Sequence, residues 1–240
     1  MNTETLSQRL QAVVKYIPEG FKVADIGSDH AYLPCNVVKR GISPFAIAGE
    51  VVKGPFQSAV KQVKLEGLES QISVRMGNGL EVINTGEVDC ITICGMGGTL
   101  ISTILEAGKQ KLHSVKRLIL QPNVGSKAVR FWLYENGWSL IAEEILEEDG
   151  KIYEVLVAEQ GDPKFGYNED LDAGFLFGPY LMKNQSGPFK LKWQGELTNW
   201  LRILTQLEQG AANSEIENKK QEILMKINLV KGALNINEES

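Results

Sequence analysis

A chain of 240 residues, 43% of them hydrophobic, can bury the core of one large domain or of one domain with a small appendage. Its formal net charge of -5 excludes a protein coated in positive charge, but not a local basic face that meets phosphates. Three cysteines and two histidines, at spacings that suit no zinc site, fit a reducing compartment, and the sequence has neither a leader pattern nor a membrane-length apolar run. The expectation is a soluble, cytoplasmic, metal-free protein.

From residue 21 to 161 short apolar runs alternate with amphipathic segments, the pattern of a parallel sheet with crossover helices. Strands are expected at 22–26, 45–49, 73–75, 89–94, 117–121, 139–145 and 153–158. Helices fall near 33–39, 55–66, 98–108 and 126–136. Asp149-Gly150 lies between the last two strands and predicts a hairpin that closes the sheet antiparallel. After Gly161 the texture changes: GDPKFGYNEDLDAG reads as loop, and no further strand follows. Beyond Phe189, Leu197, Trp200, Leu201, Leu204 and Leu207 make one helical stripe, and Ile216, Ile223, Ile227 and Val230 make another. Gly210-Ala211-Ala212 separates them, which predicts an antiparallel, coiled-coil-like pair. The domains expected are 1–162 and 163–240. Nothing in the stripes demands a second chain, so a monomer is the expectation.

The chemistry starts at VADIGSDH. Asp25, Gly27 and Ser28 place a tight turn under a helix, and Glu50-Val51 ends the next strand 25 positions after Asp25. An acid there suits the two hydroxyls of a cofactor ribose. Asp29 stands where a pyrophosphate cofactor would want backbone amides and no negative charge. S-adenosylmethionine carries a sulfonium and an ammonium group, so Asp29 favours it over a nicotinamide dinucleotide.

Two later segments extend the same rim at the carboxyl ends of the strands. Gly77-Asn78-Gly79 offers an Asn amide for an adenine edge, and Cys94-Gly95-Met96-Gly97 lets backbone approach a ligand closely. Each is also readable as a ligand-free tight loop. Gln121 and Asn123, in LQPN, have hydrogen-bonding groups for a base, although a turn after a strand uses Pro and Asn anyway. Cys94 reads as a small apolar strand-end residue rather than a reactive thiol. Basic residues such as Arg9, Lys111, Arg117 and Arg130 are candidates for RNA phosphates.

Together DIGSDHAYLP, AGEV, RMGNGL, ICGMGG and LQPN resemble the bacterial tRNA methyltransferases that modify N1 of the adenine at position 22, within the class I S-adenosylmethionine-dependent superfamily. The resemblance covers essentially the whole chain. It implies an α/β fold: a Rossmann-like, seven-stranded class I methyltransferase sheet with a C-terminal helical, coiled-coil-like appendage. It further implies S-adenosylmethionine as cofactor and tRNA as partner, with residues 163–240 contacting the tRNA. Carried over, Asp25, Gly27, Glu50 and Asn78 line the cofactor, while Asp29, Tyr32 and the Gln121-Pro122-Asn123 segment lie toward the base. No NPPY-type segment follows the fourth strand, so the base must be held by other means. The rival readings are a methyltransferase of the same fold with another substrate, a non-catalytic RNA-binding protein, and a nicotinamide dehydrogenase.

Overall fold

The computed structural model describes residues 2–209 and 214–235, which form two compact units, Met1–Tyr180 and Leu181–Ser240. In the first, the strands are β1 (Val23–Ile26), β2 (Ala46–Glu50), β3 (Ile72–Met76), β4 (Cys90–Gly97), β5 (Arg117–Val124), β6 (Trp138–Glu148) and β7 (Lys151–Gln160). The helices between them are α2 (Tyr32–Lys39), α3 (Lys53–Leu65), α4 (Gly98–Ala107) and α5 (Ser126–Glu135), with α1 (Gln8–Lys15) ahead of the sheet. The strands lie in the order β3-β2-β1-β4-β5-β7-β6. The first five are parallel, and β7 is antiparallel to both β5 and β6. Asp149 (φ 51°) and Gly150 (φ 69°) both take the left-handed conformation that a two-residue hairpin turn requires, so the expected terminal hairpin is present.

Both faces of the sheet are covered, which is why its parallel strands read as continuous apolar runs rather than alternating ones. On one face Ile101 and Leu105 of α4 and Val129 and Leu133 of α5 pack over Ile26, Ile93, Leu118 and Leu120. On the other, Val13 of α1, Leu33 and Val37 of α2 and Val63 of α3 pack over Val23, Ala46 and Ala48. The chain crosses from β3 over to β4 on the far side of β1. A crevice therefore opens at the carboxyl ends of β1 and β4, where such sheets bind ligands.

Three features differ from the sequence-based expectation. β4 and β5 run on through ICGMG and QPNV, because side chains of β5 supply bonds that an irregular ladder would otherwise lack. α6 (Leu171–Phe177) starts inside the stretch that reads as loop, with the Asp170 carboxylate accepting the Ala173 amide at 3.0 Å. α7 (Pro179–Asn184) follows it. Arg130, a candidate phosphate contact by sequence, is instead completely buried. It pairs with Glu143 and Glu154 at 2.7 Å each and donates to the carbonyls of Phe175 (3.2 Å) and Leu176 (3.3 Å). A guanidinium taken out of water must find such partners, and these tie α5, β6, β7 and α6 together.

In the second unit, α8 (Gly187–Glu208) buries Phe189, Trp193 and Leu197, and α9 (Ser214–Ala233) buries Ile223, Ile227 and Val230. Gln185, just before α8, donates to the Ala233 carbonyl at the end of α9, and the Lys226 ammonium lies over the Trp200 ring; both contacts fit an antiparallel pair. Leu201 stays 43% exposed. The separator Gly210-Ala211-Ala212 lies outside the described residues. Among those residues no helix is long and apolar enough to cross a membrane.

Removing the buried cation leaves two carboxylates uncompensated. Arg130→Met is expected to lower stability by about 3–5 kcal/mol, read as a shift in the urea midpoint; an unchanged midpoint would discount the network.

Candidate active site

β1 ends in Asp25-Ile26, and the next three amides are all committed to the end of β2. Gly27 N and Ser28 N both donate to the Gly49 carbonyl, at 2.9 and 3.2 Å, and Asp29 N donates to the Glu50 carboxylate. Gly27 (φ 72°) takes a left-handed conformation, and a Cβ there would meet Met96 Cε at 2.2 Å. Asp29 (φ 56°) and Ala31 (φ 54°) are left-handed as well, so the chain turns sharply before α2. These amides cannot form an anion nest of the kind that cradles a pyrophosphate, because their hydrogens are already bonded.

The turn is surrounded by carboxylates instead. Asp25 is 4% exposed and accepts the hydroxyls of Ser28 at 2.6 Å and Thr92 at 2.7 Å. Burial raises its pKa, against the lowering effect of those hydroxyls and of Arg9. Glu50 is also buried. Its pKa is raised first by burial, with the charges of Asp29 and Asp25 acting in the same direction and the Asp29 amide against it. The Asp29 side chain itself is 67% exposed and points to the rim. Beside it the rings of His30 and Tyr32 stack with centroids 5.2 Å apart and planes 18° apart.

A cavity of about 340 Å³ opens over this turn, bounded by Arg9, Asp25, Asp29, Tyr32, Cys94 and Met96, among others. Its far wall is the end of β4, where the ladder with β5 is irregular at Gly95 (φ 79°). Gln121 and Asn123 repair that irregularity. The Gln121 carbonyl oxygen accepts the Gly95 amide at 3.0 Å, its amide donates to Asn123, and Asn123 Nδ2 donates to the Gly95 carbonyl at 2.8 Å. Gly97 and Gly98 follow under Val124 and Gly125; a Cβ on Gly98 would lie 2.0 Å from the Gly125 carbonyl oxygen. The Cys94 thiol is pushed well above its ordinary pKa by burial, which keeps it protonated and unreactive.

The β3 side carries the third segment. Gly77 N donates to the Glu50 carbonyl at 2.9 Å, which sets the segment beside the end of β2. Val51 and Asn78 stand exposed at that edge, and Gly79 (φ 54°) packs against Ile104. Lys111 holds this loop from beneath, with Nζ 2.8 Å from the carbonyls of both Leu80 and Ile83.

Thus Asp25, Gly27, Ser28, Asp29, Tyr32, Cys94, Gly95 and Met96 meet at one cavity, Glu50 and Gly77 are tied to its turn through the Asp29 amide and the Glu50 carbonyl, and Asn78 and Gly79 line a separate cavity of about 210 Å³ with Leu100 and Thr103 of α4. Gln121 lies beneath the rim, fully buried, and Asn123 braces Gly95 from the exposed end of β5. Sequence reasoning passed over Thr92, and it placed Lys111 and Arg9 only among general RNA contacts. No local signal marks them: each is defined by a partner far along the chain.

Sheet order, antiparallel terminal hairpin and an acidic, amide-poor turn define a class I S-adenosylmethionine-dependent methyltransferase fold. A family model described as tRNA (adenine(22)-N(1))-methyltransferase matches residues 23–232, and the chain belongs to that family. It is 53% identical over 232 residues to the tRNA (adenine(22)-N(1))-methyltransferase of Bacillus subtilis strain 168, covering 96% of this chain and 98% of that one. The crystal structure of the B. subtilis m1A22 tRNA methyltransferase superposes with a TM-score of 0.94 at 51% identity, covering 96% and 99% of the two chains. A Streptococcus pneumoniae protein crystallised in complex with S-adenosyl-L-methionine superposes with a TM-score of 0.85 at 43% identity, covering 96% and 100%.

The acidic turn suits that cofactor's cationic centre, and it yields a pH prediction. Asp25 and Glu50 keep their protons to higher pH folded than unfolded. Their contribution to stability is therefore present below the unfolded pKa, about 4, and is lost as pH rises through the raised folded values. A cationic ligand favours the ionised forms, so S-adenosylmethionine affinity should climb with pH over that window, with proton release, and then level off. Calorimetry in buffers of different ionisation enthalpy reads this directly; a pH-independent affinity would remove both carboxylates from recognition.

Proposed function

We infer that this protein transfers a methyl group from S-adenosylmethionine to N1 of the adenine at position 22 of bacterial tRNA. Family membership over nearly the whole chain supports the reaction. The observation that carries the reading at the site is the acidic turn whose amides are spent on β2, which fits a sulfonium cofactor and opposes a dinucleotide. In the same reading, Asp25, Gly27, Ser28, Glu50 and Val51 hold the methionyl and ribose parts, and Gly77-Asn78-Gly79 meets the adenine edge. Cys94, Gly95, Met96 and Gly97 form the wall opposite. When bound, the cofactor supplies an electrophilic methyl group on sulfur.

The chain's own task is positioning. N1 of adenine has an in-plane lone pair, so no base is needed before attack, but in folded RNA that edge is stacked or paired. Exposing the adenine costs roughly a few kcal/mol, which stacking and polar contacts at the rim offset. Tyr32, already stacked on His30, offers a π face for the base. Methylation leaves positive charge on the ring, and the exposed Asp29 carboxylate at the rim stabilises it and accepts the proton shed from the exocyclic nitrogen. Gln121 and Asn123 are positioning residues: they fix the Gly95 peptide that shapes the acceptor side. The C-terminal helices, within the domain proposed at 163–240, bind tRNA, and the enzyme acts as a cytoplasmic monomer.

Asp29→Asn is expected to cut turnover about 100- to 1,000-fold while the fold is retained, because Asn tolerates the left-handed φ of 56°. Methyl transfer to unfractionated tRNA measures it, and wild-type rates would take Asp29 out of the mechanism. Glu50→Ala is expected to weaken cofactor binding by about tenfold or more, since ribose contacts and the Asp29 amide are lost together. An unchanged dissociation constant would count against its ribose role.

A further inference from the structure

On the acceptor side of the rim the polar side chains of β5 are already committed, since Gln121 and Asn123 both bond to the Gly95 peptide. The residue after them, Val124, carries no polar group and projects into solvent. It closes β5 opposite Gly97 in the ladder, with Cγ2 4.0 Å from where a Cβ on Gly97 would lie, and it is 71% exposed. A lone exposed apolar side chain is ordinary on a protein surface. What sets Val124 apart is how it is mounted and what it stands beside.

The backbone beneath it is fixed on both sides. Before it, Asn123 donates to the Gly95 carbonyl; after it, Gly125 (φ 75°) packs so closely on Gly98 that no side chain has room between them. α5 starts at once, at Ser126. Branching at Cβ also stiffens the valine side chain itself. The result is a rigid apolar knob on a rigid support, one ladder position beyond the Gly95-Met96 wall of the cavity. Leu100, also exposed, stands on the other flank, where it lines the cavity beside Asn78.

The reaction creates a need that this knob meets. An adenine drawn out of folded RNA leaves a gap in the stack, and proteins that open nucleic acid fill such gaps with apolar side chains inserted between bases. Tyr32 is the receiver of the adenine and Asn123 is held by Gly95, so neither is available for the gap. Valine has little rotamer freedom to lose on insertion, and its methyl groups leave water for the faces of the neighbouring bases.

We propose that Val124 is the wedge that enters the RNA stack as the target adenine leaves it, and so keeps the base in the pocket. It is a positioning residue, because it touches the neighbouring bases and not the reacting atoms. The proposal rests on the reading that this enzyme methylates the adenine at position 22 of tRNA.

Val124→Ala trims an exposed side chain, so the urea midpoint and the affinity for S-adenosylhomocysteine should stay at wild-type values. Its kcat on tRNA should fall about tenfold or more, with KM for tRNA changed less than about threefold, because the wedge acts after docking. Val124→Leu still fills the gap and should recover most of the rate. On a tRNA whose base opposite position 22 has been removed, the adenine leaves the stack more readily, and the loss in Val124→Ala should shrink to less than about threefold. Fluorescence reads the step directly: tRNA with 2-aminopurine at position 22 should brighten on unstacking when mixed with wild type and S-adenosylhomocysteine, and brighten less with Val124→Ala. Wild-type turnover by Val124→Ala, a loss of S-adenosylhomocysteine affinity that matches the loss of turnover, or equal losses on the two tRNAs would overturn the wedge. If the wild type transfers no methyl group to position 22, the functional reading itself fails; if wild type and Val124→Ala transfer it equally well, the wedge alone fails.

Discussion

The amides of Gly27, Ser28 and Asp29 are bonded to the Gly49 carbonyl and the Glu50 carboxylate, so the turn after β1 has no free donors to offer a phosphate. Most of the site follows from that commitment. Glu50 is drawn to the crevice by the Asp29 amide, the left-handed backbone at Asp29 carries its side chain to the rim, and Gly27 leaves room for Met96. The same α/β topology that cradles dinucleotides elsewhere is converted here into an acidic receptor by spending three hydrogen bonds internally.

The opposite wall solves another problem. β4 must keep pairing with β5 past Cys94 while Gly95 bulges, and a bulge leaves backbone groups without ladder partners. Gln121 and Asn123 supply those partners from side chains, on both sides of the Gly95 peptide. Arg9 then bonds to the same Gln121 oxygen, so the N-terminal helix, the β5 brace and the β4 rim form one connected network. Rigid elements on three sides hold a pocket more closely than free loops would.

Much of this was legible in the chain itself. The spacing of Asp25 and Glu50, the glycines after β3 and the Asp149-Gly150 turn each belong to short local patterns, and each stands where its pattern puts it. LQPN shows where legibility ends. Pro and Asn after an apolar strand read as a turn, yet the strand continues, because Asn123 bonds to a peptide 28 residues away in sequence. Likewise Arg130 and Lys111 carry the same charge as any surface cation, and only burial shows that one closes an ion network and the other holds the loop below Asn78.

The sequence by itself determined the class of fold, the kind of cofactor and the family, because periodicity, turn residues and motif spacing are properties of neighbouring residues. The tertiary structure alone decided which polar groups are spent and which are available. Gln121 went under the rim, Arg130 into the core and Arg9 to the cavity, because desolvation forces each buried donor or charge onto whatever partner the fold brings within reach. That partner can lie a hundred residues away, where no local pattern records it.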